Sequence, residues 1–169
     1  MMNNINTGMV YLYSTSTRLR HPCYRSMREV ALNVINELEP RHAYCMGGLD
    51  WDGVWGTMLL EANVPYTLIQ LWPGVGSSWS RCDLHSLNKL IDGANEVVYI
   101  RDEVRDRYIS EEVWLEYYNY LSNNVEALAV MMGPSNTVPN RVEQMCSTAT
   151  VPIINLWGKY QEERLGCSE

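Results

Sequence analysis

Short runs of β-branched and aromatic residues alternate along this chain with longer stretches whose apolar residues recur at helical spacing. That alternation is the pattern of βα units feeding a parallel sheet. The short runs predict strands at 10–14, 42–46, 66–71, 96–100, 127–132 and 152–156. Between them, Met27, Val30, Ala31, Val34, Ile35 and Leu38 form one continuous apolar stripe of the kind a helix lays on a sheet. Helices are predicted near 22–38, 53–62, 81–92, 111–123 and 140–149. Ser80 and Ser110 stand where N-caps belong, Glu111 and Glu112 put negative charge on free N–H groups, and Gly93 is a stop signal. The expected fold is α/β, a Rossmann-like three-layer arrangement around a mostly parallel sheet of about six strands. At 169 residues the chain has the length of about one domain. It reads as a single α/β domain at 1–160 followed by a polar C-terminal tail at 161–169, with no internal repeat or linker.

Charge narrows the function classes. With 13 Lys+Arg against 20 Asp+Glu, the net charge of −7 disfavours general binding to nucleic acid or anionic lipid. No run approaches the roughly 20 apolar residues of a membrane span, and the opening residues lack a basic signal-peptide region. Five cysteines without a C-x-x-C pair fit reduced thiols, so a cytoplasmic location is expected.

Ligands of an open parallel sheet bind beyond the carboxyl ends of its strands, which selects four loops. The first carries Thr15, Ser16, Thr17, Arg18 and Arg20. Residues 1–50 hold five Arg against four acids, so the scarce positive charge collects there. Arginine forks suit phosphate or carboxylate, although the same residues also fit a solvated helix face. The second, Met46-Gly47-Gly48-Leu49-Asp50-Trp51-Asp52-Gly53, combines close backbone approach at Gly47 and Gly48 with two carboxylates. Asp50 and Asp52 read either as ribose ligands or bases, or as helix caps. The third sets Trp72 and Trp79 around a Gly- and Ser-rich turn; each indole either stacks on a base or folds back onto the domain. The fourth, Gly133-Pro134-Ser135-Asn136-Thr137-Val138-Pro139-Asn140, is dense in small donors that either cradle phosphate or cap a helix.

Cys82 and His85 share a helical spacing but make two ligands, not a zinc site, and no metal or other cofactor is implied. G-x-S-x-G, H-E-x-x-H and P-loop motifs do not occur. Asp52, Glu61 and Glu143 are the candidate catalytic acids or bases.

With these loops located, the chain from Val10 to about Leu156 resembles the SLOG superfamily (SMF/DprA and LOG proteins), in particular its YpsA-like branch. The resemblance is carried by Tyr44-Cys45-Met46-Gly47-Gly48-Leu49-Asp50-Trp51-Asp52, by Leu71-Trp72-Pro73 and Trp79, and by Asp92-Gly93-Ala94-Asn95-Glu96-Val97-Val98. Asn119, then Glu126 to Val130, then Gly133-Pro134-Ser135-Asn136-Thr137, look like that family's Asn-containing helix, fifth strand and phosphate loop. The resemblance implies a pocket for a nucleotide or nucleotide-derived small molecule, lined by Asn119, Gly133, Ser135, Asn136 and Thr137 among others, often in a homo-oligomer. A homodimer or higher assembly is therefore expected, with the Tyr-rich fourth helix (Trp114, Leu115, Tyr117, Tyr118, Tyr120, Leu121) as its apolar face. Pro134-Ser135-Asn136 stands where the family has Gly-Gly, Tyr118 stands where a basic residue precedes the Asn, and no Glu follows Thr137 at the phosphoribohydrolase spacing. Those departures favour binding over hydrolysis. The alternatives are an enzyme acting on the N-glycosidic bond of nucleosides or nucleotides, of phosphoribohydrolase or deoxyribosyltransferase type, and a phage or mobile-element protein that sequesters a signalling nucleotide.

Overall fold

The computed structural model describes residues 11–17, 19, 21–103, 109–133 and 141–166. Strands and helices alternate through them: β1 (Tyr11–Ser16), α1 (Tyr24–Leu38), β2 (His42–Cys45), α2 (Trp51–Glu61), β3 (Tyr66–Gln70), α3 (Arg81–Gly93), β4 (Glu96–Tyr99), α4 (Glu111–Asn124), β5 (Ala127–Met131), α5 (Arg141–Thr148), β6 (Ile153–Asn155) and α6 (Trp157–Gly166). All pairings are parallel, in the order β4-β3-β2-β1-β5-β6. The three-layer α/β architecture expected of the alternating pattern is therefore the one observed.

Strand periodicity divides the core. Along β1, Leu12 packs on the side of α1, α2, α3 and α6, while Tyr13 packs on the side of α4 and α5. The central strands are buried on both faces, which is why they read as near-continuous apolar runs. Helix α2 is buried around most of its girth: Trp51, Val54, Trp55, Gly56, Met58 and Leu59 are all closed to solvent. The Trp51 and Trp55 rings stack at 6.3 Å, and both indole N–H groups are satisfied. Trp51 Nε1 donates to Ser14 Oγ at 2.9 Å, which donates onward to the Ala129 carbonyl, and Trp55 Nε1 donates to the Tyr44 carbonyl at 3.2 Å. Gly56 lets α3 close on α2, since a Cβ there would stand 2.8 Å from Leu90 Cδ1.

Two differences from the sequence expectation matter. Helix α2 begins at Trp51 rather than 53, so Asp52 sits in a first helical turn instead of a loop. The stretch expected to be a polar tail is helical through Gly166; residues 167–169 lie outside the described residues. Helix α6 is docked on α1: Tyr160 is buried, its hydroxyl accepts the Cys23 N–H at 2.9 Å, and Lys159 pairs with Glu37 at 2.6 Å. Two aromatic anchors, Trp157 and Tyr160, carry this packing, too few to stand out against Lys159, Gln161, Glu162, Glu163 and Arg164. Among the described residues no helix is long and apolar enough to cross a membrane.

Candidate functional site

Because every strand runs the same way, the loops after β1, β2, β3 and β5 open on one edge of the sheet. The strand order reverses between β1 and β5. The chain leaving β1 enters α1 on one face, and the chain leaving β5 enters α5 on the other, so a crevice opens between them. Thr17 ties the two together: its N–H donates to the Met131 carbonyl at 3.1 Å, and its Oγ1 accepts the Gly133 N–H at 3.2 Å. Ser16 pairs with Met131 in register at the mouth of the crevice. Gly133 lies against the indole of Trp157, which a Cβ would meet at 2.9 Å. Asn155 Oδ1 accepts N–H groups from Met132 and Trp157, fixing the start of α6 beside the same crevice. Sequence reasoning missed Trp157 and Asn155: Asn155 lies inside the predicted strand 152–156 and Trp157 just after it, where no helix was predicted.

The second loop wraps the first turn of α2. Gly47 has φ +65°, a conformation open to glycine, and a Cβ there would meet Leu68 Cδ1 at 2.7 Å. A Cβ on Gly48 would meet the Asp52 side chain at 3.3 Å. Asp50 holds the N-cap position at φ 52°, ψ −123° but makes no side-chain cap; its Oδ1 instead accepts the Tyr24 hydroxyl at 3.0 Å. The capping alternative is thereby answered for Asp50.

Asp52 is the unusual group. Its Oδ1 is closed off from solvent and meets no hydrogen-bond partner. Burial pushes the carboxyl up to about 7, the Asp50 charge adds to the rise, and the Thr15 hydroxyl works against it. On the α4 side of the sheet, the Tyr13 and Tyr117 hydroxyls hydrogen-bond to each other. Both phenols are held well above the usual tyrosine range by burial, with the Asp52 charge contributing.

A groove of about 360 Å³ flanks this turn, between α1, α2 and α3. Tyr24, Arg28, Gly48, Asp50, Thr57 and Asp83 supply its polar lining, and Val54, Leu87 and Leu90 its apolar lining. That size is within the range of small-molecule sites.

Thr15, Ser16, Thr17, Gly47, Gly48, Asp50, Asp52 and Gly133 therefore share the rim. Arg18, Arg20, Ser135, Asn136 and Thr137 lie outside the described residues. Trp79 folds back against the α1–α3 side of the core, and Trp72 packs on the opposite side, so the two indoles flank different faces of the sheet. Glu61 closes α2 nine residues beyond Asp52, about 13 Å along the axis, and pairs with Arg28 at 2.8 Å. Asn119 is exposed on α4, whose buried side runs through Tyr117 and Leu121, so it is turned away from the core. Glu143 stands in the first turn of α5, across the sheet from α2. On α4, Tyr117 and Leu121 are buried and Trp114, Tyr118 and Tyr120 pack on the same cluster; Leu115, 59% exposed, is left outside it. The face expected to drive self-association is thus largely consumed within the chain.

No family model matches the chain, and no curated protein matches it.

Proposed function

We propose that this chain binds a nucleotide or nucleotide-derived small molecule at the carboxyl edge of its sheet. The observation that carries the reading is the crevice at the reversal between β1 and β5, tied across by Thr17 and Gly133 and adjoining the Gly47–Gly48 turn. Backbone N–H groups in the first turn of α2 would meet the phosphate, and Gly48 would let backbone approach it. Arg18, Arg20, Ser135, Asn136 and Thr137 belong by sequence to the two loops that bound the crevice. The adjoining groove has the size and mixed lining to take the nucleoside end, with Asp50 and the Tyr24 phenol meeting ribose hydroxyls. The proposed homo-oligomer would draw on surfaces other than the consumed side of α4.

Calorimetry with ADP-ribose, cyclic dinucleotides and nucleoside monophosphates tests the reading. Saturable one-to-one binding that is weakened by Gly48→Val supports it. No heat with any of them at millimolar concentration refutes it.

The solvent-closed, unpartnered Oδ1 of Asp52 favours a catalytic second reading: a carboxyl whose burial raises its pKa is suited to protonate a departing base, the general-acid step of N-glycosidic cleavage. Release of free base from a nucleoside monophosphate, lost in Asp52→Asn, would favour this reading over binding alone; the same ligand recovered unchanged would count against it.

A further inference from the structure

The groove between α1, α2 and α3 is a furrow over a sunken helix. Gly53 and Thr57 of the buried α2 form its floor, with Tyr24 and Arg28 of α1 on one side and Asp83 and Ser86 of α3 on the other. The hydroxyl protons of this lining are directed into the chain. Tyr24 Oη donates to Asp50 Oδ1 at 3.0 Å, Thr57 Oγ1 to the Gly53 carbonyl at 2.8 Å, and Ser86 Oγ to the Cys82 carbonyl at 3.1 Å. Arg28, the cation of the lining, turns its guanidinium to both carboxylate oxygens of Glu61. What these side chains leave for a ligand is therefore chiefly acceptors. Asp50 and Asp83 each have about four lone-pair directions and accept one described side-chain O–H apiece, from Tyr24 and from Ser80. The Asp50 hydrogen bond, with burial and the charges of both aspartates, holds the Tyr24 phenol above the usual tyrosine range, so it stays a donor to Asp50. Val54, Leu87 and Leu90 add apolar surface inside the groove, and the Tyr24 ring and Leu49, both about half exposed, add more at its edge. An occupant that matches such a lining is planar, apolar on its faces and furnished with N–H donors at its edge.

We propose that this groove selects a nucleobase bearing an exocyclic amine, with Asp83 accepting the amine N–H, and rejects the keto counterpart, whose carbonyl lone pairs would face that carboxylate. Asp50 stands on the turn beside the crevice, at the ribose end; Asp83 stands across the groove on α3, where the edge of the base arrives. The inference rests on the nucleotide reading of the adjoining crevice and names the class of ligand it takes: adenine and cytosine nucleotides over hypoxanthine and uracil ones.

Titration calorimetry with two matched pairs tests this: ADP-ribose against its hypoxanthine counterpart, and CMP against UMP. Within each pair the phosphates and sugars are identical, so the ratio of dissociation constants reports on the base alone. In any pair that binds, the amine-bearing member is expected to bind about ten- to a hundredfold more tightly, the scale of one hydrogen bond to a charged acceptor. In Asp83→Asn the amide can turn an N–H toward the carbonyl, so the ratio should fall close to unity; Ser80 remains to cap α3, and far-UV circular dichroism verifies the fold. Equal affinity within a pair that binds, tighter binding of the keto member, or the wild-type ratio retained in Asp83→Asn overturns the inference while leaving the nucleotide site in place. Failure of all four ligands to bind at millimolar concentration overturns the nucleotide reading itself and this inference with it.

Discussion

Replacing Asp52 with Asn should stabilise the fold, and by an amount that depends on pH in a defined direction. In the unfolded chain the carboxyl has its ordinary value of 3.8; in the fold it is pushed up to about 7. Between those values the folded state holds a proton that the unfolded state has lost, so stability declines as pH rises from about 3.8 and levels off above about 7. Three pH units at about 1.36 kcal/mol each make the full cost about 4 kcal/mol at pH 8, an upper figure because the residue is only partly covered even though its Oδ1 is closed off. At pH 5, where the unfolded chain is only about one unit above its midpoint, the cost is roughly 1.7 kcal/mol. Asn is isosteric and never ionises, so the wild-type deficit relative to Asp52→Asn should grow from pH 5 to pH 8 by roughly 2–3 kcal/mol. Urea unfolding followed by tryptophan fluorescence measures both proteins across that range. Taking the difference between them removes the contribution of surface carboxylates, which act on both alike. A difference that stays constant with pH, or that shrinks as pH rises, refutes the argument that Asp52 is buried as a neutral acid.

Three further outcomes follow from the packing. Thr17→Val leaves the Gly133 N–H without its acceptor and should cost about 1–2 kcal/mol in chemical denaturation, and it should weaken ligand binding by loosening the crevice. Gly56→Val drives a branched side chain into Leu90 and Cys45 at the contact between α2 and α3; a loss of about 1–3 kcal/mol is expected by thermal unfolding, and an unchanged midpoint would show that the helices are not in contact. Ending the chain after Leu156 removes Trp157 and Tyr160, uncovering α1 and the Cys23 N–H, and should yield a product of markedly lower Tm or none that is soluble; Tyr160→Phe isolates the hydrogen bond at about 1 kcal/mol.

The sheet was legible because each buried strand carries a short run of β-branched or aromatic residues and each large helix a one-sided stripe, two patterns with different periods. Ser80 and Ser110 both accept an N–H from the third residue of their helices, as their positions implied. Legibility failed where one or two side chains carry the packing. Trp157 and Tyr160 dock α6 within a segment that is otherwise polar, so no stripe announces it. Gly47 and Gly48 gave the location of the turn, but not whether Asp50 would cap α2: its side chain is captured by Tyr24, 26 residues away, a contact with no local signal. Trp72 and Trp79 bracket one turn in sequence yet pack on opposite sides of the sheet, since spacing across an irregular loop does not determine direction.

The character of α2 accounts for the site's chemistry. The segment Trp51-Asp52-Gly53-Val54-Trp55-Gly56-Thr57-Met58-Leu59-Leu60-Glu61 has apolar residues on nearly every side, so it belongs between α1, α3 and the sheet rather than on the surface. Sinking it carries its N-terminus, and therefore Asp52, into a region of low polarizability. Glu61 at the other end escapes by reaching Arg28 in solvent, but Asp52, nine residues earlier, has no described cation to pair with. A solvated amphipathic helix at this place would leave its first-turn carboxylate ionised and ordinary. Burial of the helix is thus what turns an acidic residue into a proton-holding group at the mouth of the crevice. Exposing α2 by Trp55→Ser, which removes a fully buried indole, should accordingly lower stability and bring the Asp52 midpoint down toward 3.8 together. Carboxyl titration by NMR on a variant that still folds would show whether the two move in step; a lost indole with the Asp52 midpoint unmoved would sever the link between the helix's burial and the acid it carries.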